Sequence, residues 1–578
     1  MRNAEIAEAM SELATLYELD GAIRYRVLAY KEAARVIRQS PVSVAELARA
    51  GRATELPGVG DTLQTKIVAL LDEGEIPAAK KLKRKFPASL VEVTRIPGVG
   101  AKTARRLFDE LGITTLDELR AAAESEQIRT VKGLGAKVEE NVIAALEKLG
   151  DEGPSERVLL SEALPIAEEL AEALRAHPDS DAVEVAGSAR RRAETCKDID
   201  LIATATDPAA LARSLAEHPL AAQAGTAGES GTRIVTHNGI SVDLRIVAPD
   251  AYGNLLQHFT GSAKHNIELR ERAVKVGLSV SEHGILETES GEVARYATEE
   301  EVYRRLGLAY IEPELREGNG EIAAAAASEL PELVELGDIR GDLHCHTTLS
   351  DGRNTLEEMA EAARARGYAY LAITDHSASH GFGNHVTAEA LLARVKEVAA
   401  LNETYEGKRF RLLAGSEVNV MPDGSLDYDD EVLAELDWVI ASVHTSFRIS
   451  EKKMTERVIT AIEHPLVDCI GHLTGRMIGR REPYDIDVEA VAEAAARNGT
   501  MLEINGNPNR RDLSERHARL AADAGVRICI NTDAHGVDTL RNIEYGIATA
   551  RRGWLTASEV ANTRTWSQFA KLRKRARR

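Results

Sequence analysis

The first 85 residues show the apolar periodicity of helices. Across residues 5–19 the apolar side chains lie at helical spacing, and a second helical segment begins at Arg24 with a basic and aromatic face. Further along, short strand-like runs near residues 183, 199, 233 and 242 predict a mixed region of strands and helices. The pattern therefore predicts a helical N-terminal region followed by an α/β region.

From residue 339 onward, strand-like runs alternate with helical segments, which predicts a parallel sheet or barrel. Each candidate strand carries an acid or a histidine at or near its end. The seven runs are 341–346, 370–376, 412–417, 439–444, 469–472, 501–505 and 529–535. Seven strands of this kind fit a distorted barrel of the TIM type, in which the C-terminal strand ends form the active face.

A short motif, Pro-Gly-Val-Gly, recurs between helical segments of the first region. It occurs at residues 57–60 and 97–100, and a weaker copy occupies 131–137. These are helix-hairpin-helix signatures, in which glycines allow a tight turn and a close approach of the backbone to a DNA phosphate. One copy could be an ordinary turn, but two clear copies and a partial one favour sequence-independent DNA binding. The predicted DNA-binding residues are Gly58, Gly60, Gly98, Gly100, Lys102, Gly133 and Gly135, and Na⁺ or K⁺ is an expected ligand of the hairpins.

A carboxylate pair follows a glycine-serine turn in the second region. Asp198 and Asp200 stand two apart on a strand-like run, so both point to the same side. Asp243 offers a third carboxylate from another such run, and divalent cations with oxygen ligands would offset the repulsion. The turn and the arginines 190–192 suit a phosphate cradle, which favours two-metal phosphoryl transfer. For an Asp-x-Asp pair alone, the solvent face of an edge strand would be the better interpretation.

Nine acids and histidines at or just past the barrel strand ends can converge on one rim. They are His344, His346, Asp351, His376, Glu417, His444, His472, Asp533 and His535. Imidazole and carboxylate together suit Zn²⁺ or Mn²⁺. A single histidine of this kind would more often be a core residue with its hydrogen bonds satisfied. Nine acids and histidines in this pattern indicate a metal site.

Composition changes the predicted fold and sites little. The 578 residues indicate several domains, and the net charge of −20 is unusual for a DNA-binding protein. Local basic patches at 80–85, 102–106, 190–192 and 571–578 matter more than the total, although the last could be a disordered tail. Four cysteines without a C-x-x-C pair predict a reducing compartment and no zinc finger. Without a signal-peptide core or a long apolar run, we expect a cytoplasmic, nucleoid-associated protein with no membrane contact.

The run from Gly187 to Ile202 resembles the nucleotidyltransferase signature of family X DNA polymerases, and residues 258–266 resemble that family's Y-F-T-G-S…N block. The resemblance implies that Asp198, Asp200 and Asp243 hold two Mg²⁺ ions and that Asp243 also activates the primer 3′-hydroxyl. The implied substrate contacts are Gly187, Ser188 and Arg191 for the triphosphate, Phe259, Gly261 and Asn266 for sugar and base, and Arg270 for the template. Departures from the family pattern are Arg192 and Lys197 in place of two glycines, and His258 in place of the tyrosine.

Lys66 matches a family X lysine that forms a Schiff base with the sugar aldehyde of an abasic site, with Tyr30 and Arg26 as its helical neighbours. Such a lysine needs a lowered pKa. A surface lysine that touches phosphate explains the position about equally well. If Lys66 is a lyase residue, borohydride should trap a covalent adduct on 5′-deoxyribose-phosphate DNA. The absence of an adduct, or an adduct that persists in Lys66→Ala, would refute the lyase interpretation.

The motifs H-x-H-T-x-x-S-D-G, T-D-H, G-x-E, S-V-H, G-H and T-D-A-H resemble the PHP family, named for polymerase and histidinol phosphatase. The resemblance implies phosphoester hydrolysis with up to three Mn²⁺ or Zn²⁺ ions. The implied ligand sets are His344, His346, Glu417 and Asp533, then Asp351, His376 and His535, then Glu417, His444 and His472, with Glu417 bridging. A PHP domain alone could be a small-molecule phosphatase.

Together the two halves resemble the bacterial and archaeal family X polymerases known as PolX. The resemblance implies gap filling in DNA repair with dNTPs on gapped or primer-template DNA, and a Mn²⁺-dependent 3′–5′ exonuclease with abasic-endonuclease and 3′-phosphatase activities. One alternative is a 3′-end nuclease whose polymerase half only binds DNA, and another is a non-catalytic DNA-binding scaffold. The chain is expected to be a monomer.

The expected fold is a helix-hairpin-helix N-terminal region, an α/β nucleotidyltransferase palm and a C-terminal (βα)₇ distorted TIM-like barrel. The expected boundaries are 1–85 and 86–150 for two helical DNA-binding domains, 151–247 for the palm, 248–315 for the C-terminal polymerase subdomain, 316–338 for a linker and 339–578 for the PHP domain.

Overall fold

The computed structural model describes residues 1–96, 98–148, 157–379 and 384–574. By contact density the chain divides into two compact units. The first comprises Met1–Val158, Glu162–Glu184 and Lys197–Val247, and the second comprises Leu159–Ser161, Val185–Cys196 and Ala248–Arg578. The predicted boundary at 150/151, Pro97 of the second hairpin and the last four residues of the basic tail lie outside the described residues.

The N-terminal region is helical, as its periodicity predicts. The helices are α1 Asn3–Leu19, α2 Arg24–Gln39, α3 Val44–Arg49, α4 Asp61–Glu73, α5 Pro77–Lys83, α6 Ala88–Val93, α7 Ala101–Leu111, α8 Leu116–Glu124 and α9 Ala136–Lys148. Their apolar faces share one core, in which Ile6, Met10 and Leu13 are fully buried. This burial, more than helix propensity, stabilises helices of such modest length.

A mixed sheet follows the helices. The elements are β1 Val158–Leu159, α10 Leu160–Arg175, β2 Ser180–Val185, α11 Gly187–Arg190, β3 Thr195–Cys196, β4 Asp198–Ala205, α12 Pro208–Ala216, β5 Ala221–Ala224, β6 Gly231–Thr236 and β7 Ser241–Ile246. Five strands form a sheet in the order β2-β4-β7-β6-β5. Strands β4 and β7 pair in parallel, whereas β6 pairs with β7 in the antiparallel sense. The predicted runs near 183, 199, 233 and 242 are β2, β4, β6 and β7.

The second unit begins with a small α/β subdomain. Its elements are α13 Tyr252–Thr260, α14 Ala263–Lys275, β8 Leu278–Ser281, β9 Gly284–Glu287, β10 Val293–Ala294, α15 Glu299–Arg305 and α16 Glu321–Ala327. Arg316 and Glu321 are fully buried; Arg316 pairs with Glu299, and Glu321 accepts a hydrogen bond from His265 at 2.8 Å. The start of the expected linker 316–338 is therefore an integral part of this subdomain.

The rest of the chain forms the predicted parallel barrel. Its elements are β11 Gly341–Asp342, α17 Leu356–Ala365, β12 Tyr370–Ile373, α18 Ala388–Thr404, β13 Arg411–Asn419, α19 Asp430–Ala434, β14 Trp438–Ser442, α20 Glu451–Glu463, β15 Cys469–Ile470, α21 Val488–Asn498, β16 Met501–Asn505, α22 Glu515–Asp523, β17 Ile528–Asn531, α23 Ile543–Arg552 and α24 Trp566–Phe569. Seven strands pair in chain order, and a bridge between Cys345 and Ala534 joins the two ends of the sheet. This nearly closed barrel confirms the expected fold class.

Within the described ranges, no helix has both the length and the apolar character that crossing a membrane would require.

Candidate functional site

Three carboxylates meet on the sheet of the first unit. The parallel register of β4 and β7 sets Asp200 directly opposite Asp243. Asp198 lies two residues earlier on β4 and so projects to the same face. Each of the three is partly exposed. The sheet therefore brings together the three aspartates that the sequence singles out, and their oxygens suit a hard cation such as Mg²⁺.

Arg233 joins this cluster from β6, where it is the cross-strand neighbour of Asp243. Its Nε and Nη2 donate to the two carboxylate oxygens of Asp243 at 2.9 and 2.6 Å. The pKa of Arg233 is raised, first by the hydrogen bonds to Asp243 and then by the charges of Asp243, Asp198 and Asp200. Arg233 thus offsets part of the repulsion among the carboxylates. Sequence reasoning missed it because an arginine on a half-exposed strand is ordinary, and its register is visible only in the structure.

The residues predicted to contact the triphosphate lie on the loop 187–194, in the second unit. Gly187 has a φ of 63° and begins the short helix α11, whose second residue is Ser188. Arg191 donates to the backbone oxygen of Thr260 at 2.6 Å and to Glu317 Oε1 at 2.9 Å. Arg192, which replaces a family glycine, has a φ of 54°. The loop therefore has a left-handed residue at the position where glycine is usual.

The residues predicted to contact sugar and base surround the turn between α13 and α14. Gly261 ends α13 with a φ of 50°, and Asn266 Nδ2 donates to the backbone oxygen of His258 at 2.8 Å. The ring of Phe259 lies 5.4 Å from that of His258, edge to face. Arg270, on the exposed side of α14, places Nη2 3.5 Å from His258 Nδ1. The structure thus gathers the predicted set around one turn.

The three predicted hairpins precede helices, as expected. Gly58, Gly98 and Gly133 have φ values of 78°, 90° and 80°, which explains the need for glycine there. Gly60 and Gly100 cap α4 and α7, Gly135 immediately precedes α9, and Lys102 is exposed in the first turn of α7. Lys66 is half-buried on α4.

In the barrel, the Glu417 carboxylate lies among five imidazoles. Oε1 is 2.9 Å from His472 Nε2 and 3.2 Å from His444 Nε2. Oε2 is 2.9, 3.3 and 3.6 Å from nitrogens of His376, His344 and His346. This arrangement matches the predicted bridging role of Glu417.

The remaining predicted ligands complete the cluster. His535 Nε2 lies 3.2 Å from Asp351 Oδ2, and His346 Nε2 lies 3.1 Å from Asp533 Oδ1. In the described part of the chain, three groups have ligand atoms close enough to hold an ion: His346, Asp351, His376 and His535; His344, His346 and Asp533; and His376, Glu417 and His444. All nine predicted residues are therefore brought to one rim, with His346 and His376 each shared by two groups.

Buried atoms that lack hydrogen bonds show that these residues fit a metal. Among the described residues, His344 Nε2, His346 Nδ1 and Glu417 Oε2 are buried, and their contacts with neighbouring ligand atoms lack the geometry of hydrogen bonds. Polar atoms left in this state are costly unless something satisfies them. A divalent cation with nitrogen and oxygen ligands would do so.

The cluster combines ionised carboxylates with imidazoles whose pKa values are shifted in opposite directions. Burial works against ionisation of Glu417, but the imidazoles of His376, His444 and His344 hold its pKa well below the usual range. Burial, with repulsion from other histidines, lowers the pKa of His346 and of His444 to about 4. Against the effect of burial, neighbouring carboxylates raise the pKa of His344, of His376 and of His535, the last to about 9. A cation binds ionised carboxylates and neutral imidazoles, so these three histidines must release protons as a metal binds.

Two further residues support the cluster, and sequence reasoning missed both roles. Glu503, fully buried on β16, is 2.7 Å from His344 Nδ1 and accepts from the backbone nitrogen of His472 at 2.8 Å, which orients both ligands. Arg510 Nε lies 3.6 Å from Asp533 Oδ2, and its buried Nη1 lacks a hydrogen bond within the described chain. Such a guanidinium suits a phosphate. For Glu503 the sequence signal was an acid within a predicted barrel strand, β16.

Four known domain families match the chain. They are a helix-hairpin-helix domain over residues 1–76, a SAM-like helix-hairpin-helix tandem over 90–148, the DNA polymerase beta thumb over 255–317 and the PHP domain over 342–507.

Similarities to individual proteins agree with these domain families. A DNA polymerase/3′-5′ exonuclease PolX of Bacillus subtilis is 38% identical over 577 residues, 100% of both proteins. A probable phosphatase of Thermoanaerobacter sp. strain X514 is 34% identical over 234 residues, 38% of this chain and 89% of that protein. A probable phosphatase of Photobacterium profundum is 30% identical over 219 residues, 35% of this chain and 81% of that protein. Because the similarity to the Bacillus subtilis protein runs the full length of both proteins, it decides the assignment: the chain belongs to the PolX family of DNA polymerases with a C-terminal PHP domain.

Proposed function

We propose that this chain is a DNA-directed DNA polymerase that fills short gaps in DNA repair and is also a 3′–5′ exonuclease. The observation that carries the proposal is the presence of two complete ligand clusters, three carboxylates in one unit and nine acids and histidines in the other. The full-length similarity to a relative named as both a polymerase and a 3′-5′ exonuclease supports it.

For polymerisation, Asp198, Asp200 and Asp243 would hold two Mg²⁺ ions, which when bound supply charge neutralisation for phosphoryl transfer. Asp243 takes part in activating the primer 3′-hydroxyl. The bidentate bond from Arg233 fixes the orientation of its carboxylate. Ser188 and Arg191 bind the triphosphate, and residues of the α13–α14 turn contact the sugar and base. Gapped or primer-template DNA and dNTPs are the proposed substrates.

For nuclease action, the nine barrel residues would hold up to three Mn²⁺ or Zn²⁺ ions, which when bound supply an activated water for attack on phosphorus. Glu503 keeps His344 in the orientation required for ligation. Arg510 binds a phosphate oxygen next to Asp533. Abasic-endonuclease and 3′-phosphatase activities are further proposals for this site.

We assign DNA binding to the hairpin backbones at Gly58, Gly98 and Gly133, which would also hold Na⁺ or K⁺. We propose the domain boundaries 1–85, 86–150, 151–247 and 339–578, and a C-terminal polymerase subdomain that extends from 248 to about 328 because Arg316 and Glu321 are buried in it. We further propose a monomer that acts on DNA in the cytoplasm; all four cysteines are buried, and within the described residues none of them forms a disulfide.

A direct assay tests the proposal. With a single-nucleotide gap, the complementary dNTP and Mg²⁺, the chain should extend the primer by one nucleotide. With Mn²⁺ and no dNTP, it should shorten a labelled primer from its 3′ end, and EDTA should stop both reactions because both clusters depend on cations. Shortening without extension would instead indicate a nuclease whose polymerase half only binds DNA. DNA binding with neither reaction would indicate a scaffold.

A further inference from the structure

We propose that Arg552, on the barrel helix α23, is a positioning residue for nucleotide binding: it draws Glu317 away from Arg191 and so keeps Arg191 available to the triphosphate. The inference rests on the proposed polymerase function, because it concerns the dNTP substrate of that reaction. It assigns to the barrel a role in polymerisation that its metal cluster does not explain.

A single carboxylate oxygen connects the two arginines. Glu317 Oε1 accepts from Arg191 Nε at 2.9 Å and from Arg552 Nη1 at 2.8 Å. Arg552 is itself held by Glu515, whose Oε1 accepts from Nη2 at 3.0 Å. The side chain of Arg552 is only 7% exposed, so its charge is poorly screened by water. Arg552 is thus fixed where it competes with Arg191 for Glu317.

This competition bears on the triphosphate. A carboxylate bound to Arg191 is a rival for the phosphate oxygens that Arg191 is proposed to bind, since both are anions with the same hydrogen-bonding geometry. When Arg552 shares the oxygen of Glu317, the hold of Glu317 on Arg191 is weakened. Without Arg552, Glu317 would pair with Arg191 alone, and the triphosphate would bind less tightly.

The barrel also holds the backbone of the same loop. Arg552 Nη1 donates to the backbone oxygen of Arg191 at 2.9 Å, and Arg511 Nη1 donates to that of Arg192 at 3.0 Å. Arg511 is fully buried and anchored by Thr549 Oγ1 at 2.8 Å. These bonds fix the left-handed turn at Arg192, a conformation that side chains other than glycine rarely adopt. Loss of Arg552 therefore weakens nucleotide binding through the backbone as well.

Single-nucleotide gap filling by the full chain tests the proposal, with the concentration of dNTP varied. In Arg552→Ala the KM for dNTP should rise about tenfold, equivalent to about 1.4 kcal/mol, with kcat within about twofold of wild type. Arg552→Lys keeps the charge but not the forked geometry, so its KM should rise about threefold. Shortening of primer DNA with Mn²⁺ should be unchanged in both variants, which shows that the barrel is folded. Arg364→Ala, which removes another barrel arginine with an ion pair, is the matched control and should leave KM unchanged.

A second substitution tests whether Arg552 acts on Arg191 through Glu317 or only holds the loop in place. If Glu317 is the rival of the triphosphate, Glu317→Gln in the Arg552→Ala background should return KM to within about threefold of wild type. Four results would each overturn the proposal. For Arg552→Ala they are an unchanged KM, a fall in kcat alone, or a parallel loss of nuclease activity. The fourth is a double variant whose KM is as high as that of Arg552→Ala. Failure of the wild-type chain to fill the gap would instead refute the proposed function.

Discussion

Replacing Asp198 by asparagine should lower gap filling at least about a thousandfold, while the nuclease activity of the barrel stays within about twofold of wild type. Asp198 shares one face of β4 with Asp200, and Asp200 is directly opposite Asp243. Asparagine keeps the size of the side chain but removes the charge that a divalent cation requires. Primer extension at saturating dNTP and primer shortening with Mn²⁺, measured on the same preparation, check both halves of this expectation.

The matched control is Asp181→Asn, which removes an exposed aspartate from β2 of the same sheet and should leave gap filling intact. The melting temperature gives a second readout. Because Asp198, Asp200 and Asp243 are like charges on one face of the sheet, with Arg233 paired to Asp243, Asp198→Asn should not lower the melting temperature without metal. Gap filling at the wild-type rate in Asp198→Asn would show that Asp198 does not take part in the reaction. A fall of several degrees in the melting temperature would show that Asp198 stabilises the fold.

Glu417→Gln should abolish primer shortening, with a loss of at least about a thousandfold, and should leave gap filling within about twofold of wild type. The Glu417 carboxylate is surrounded by five imidazoles at 2.9 to 3.6 Å, and it touches ligands of every proposed ion. Glutamine fills the same space without the charge, so the histidines lose the anion that helps to bind cations among them. The bound metal per chain, measured by mass spectrometry after dialysis, should fall together with activity.

Arg510→Ala provides the graded comparison. It removes a phosphate-binding group without removing a ligand, so the expected loss is smaller, about a hundredfold, and the metal content should be that of wild type. Full metal content with lost activity in Glu417→Gln would show that this carboxylate acts on substrate and not on the ions. Metal loss in Arg510→Ala would show that the arginine supports the ligands instead of the phosphate.

The parts of the site that the sequence predicts are those encoded locally. Each barrel ligand lies at or just past a strand end, and parallel strands in chain order bring those ends to one rim regardless of loop detail. Asp198 and Asp200 share a face because a strand has a period of two. Helices and hairpins in the first region follow equally local patterns of apolar residues and glycines.

The parts that the sequence does not predict depend on partners far away in the chain. Arg191 and Arg552 are 361 positions apart, and neither residue type nor spacing indicates that they meet. Glycine, alanine and proline in residues 313–331 suggest a linker, but Arg316 is buried against Glu299 within the subdomain. Arg233 and Arg510 look like surface arginines until strand pairing and barrel closure place them against carboxylates.

The two guanidinium groups that hold the backbone of Arg191 and Arg192 come from beyond residue 500. A protein truncated after the thumb would retain every residue of the polymerase signature yet release those two carbonyl groups to water. Its turn could relax at Arg192, where no glycine is present to make the left-handed geometry inexpensive. Nucleotide affinities measured with such a fragment would not apply to the full-length chain. The polymerase and nuclease activities should therefore be compared only in the intact polypeptide.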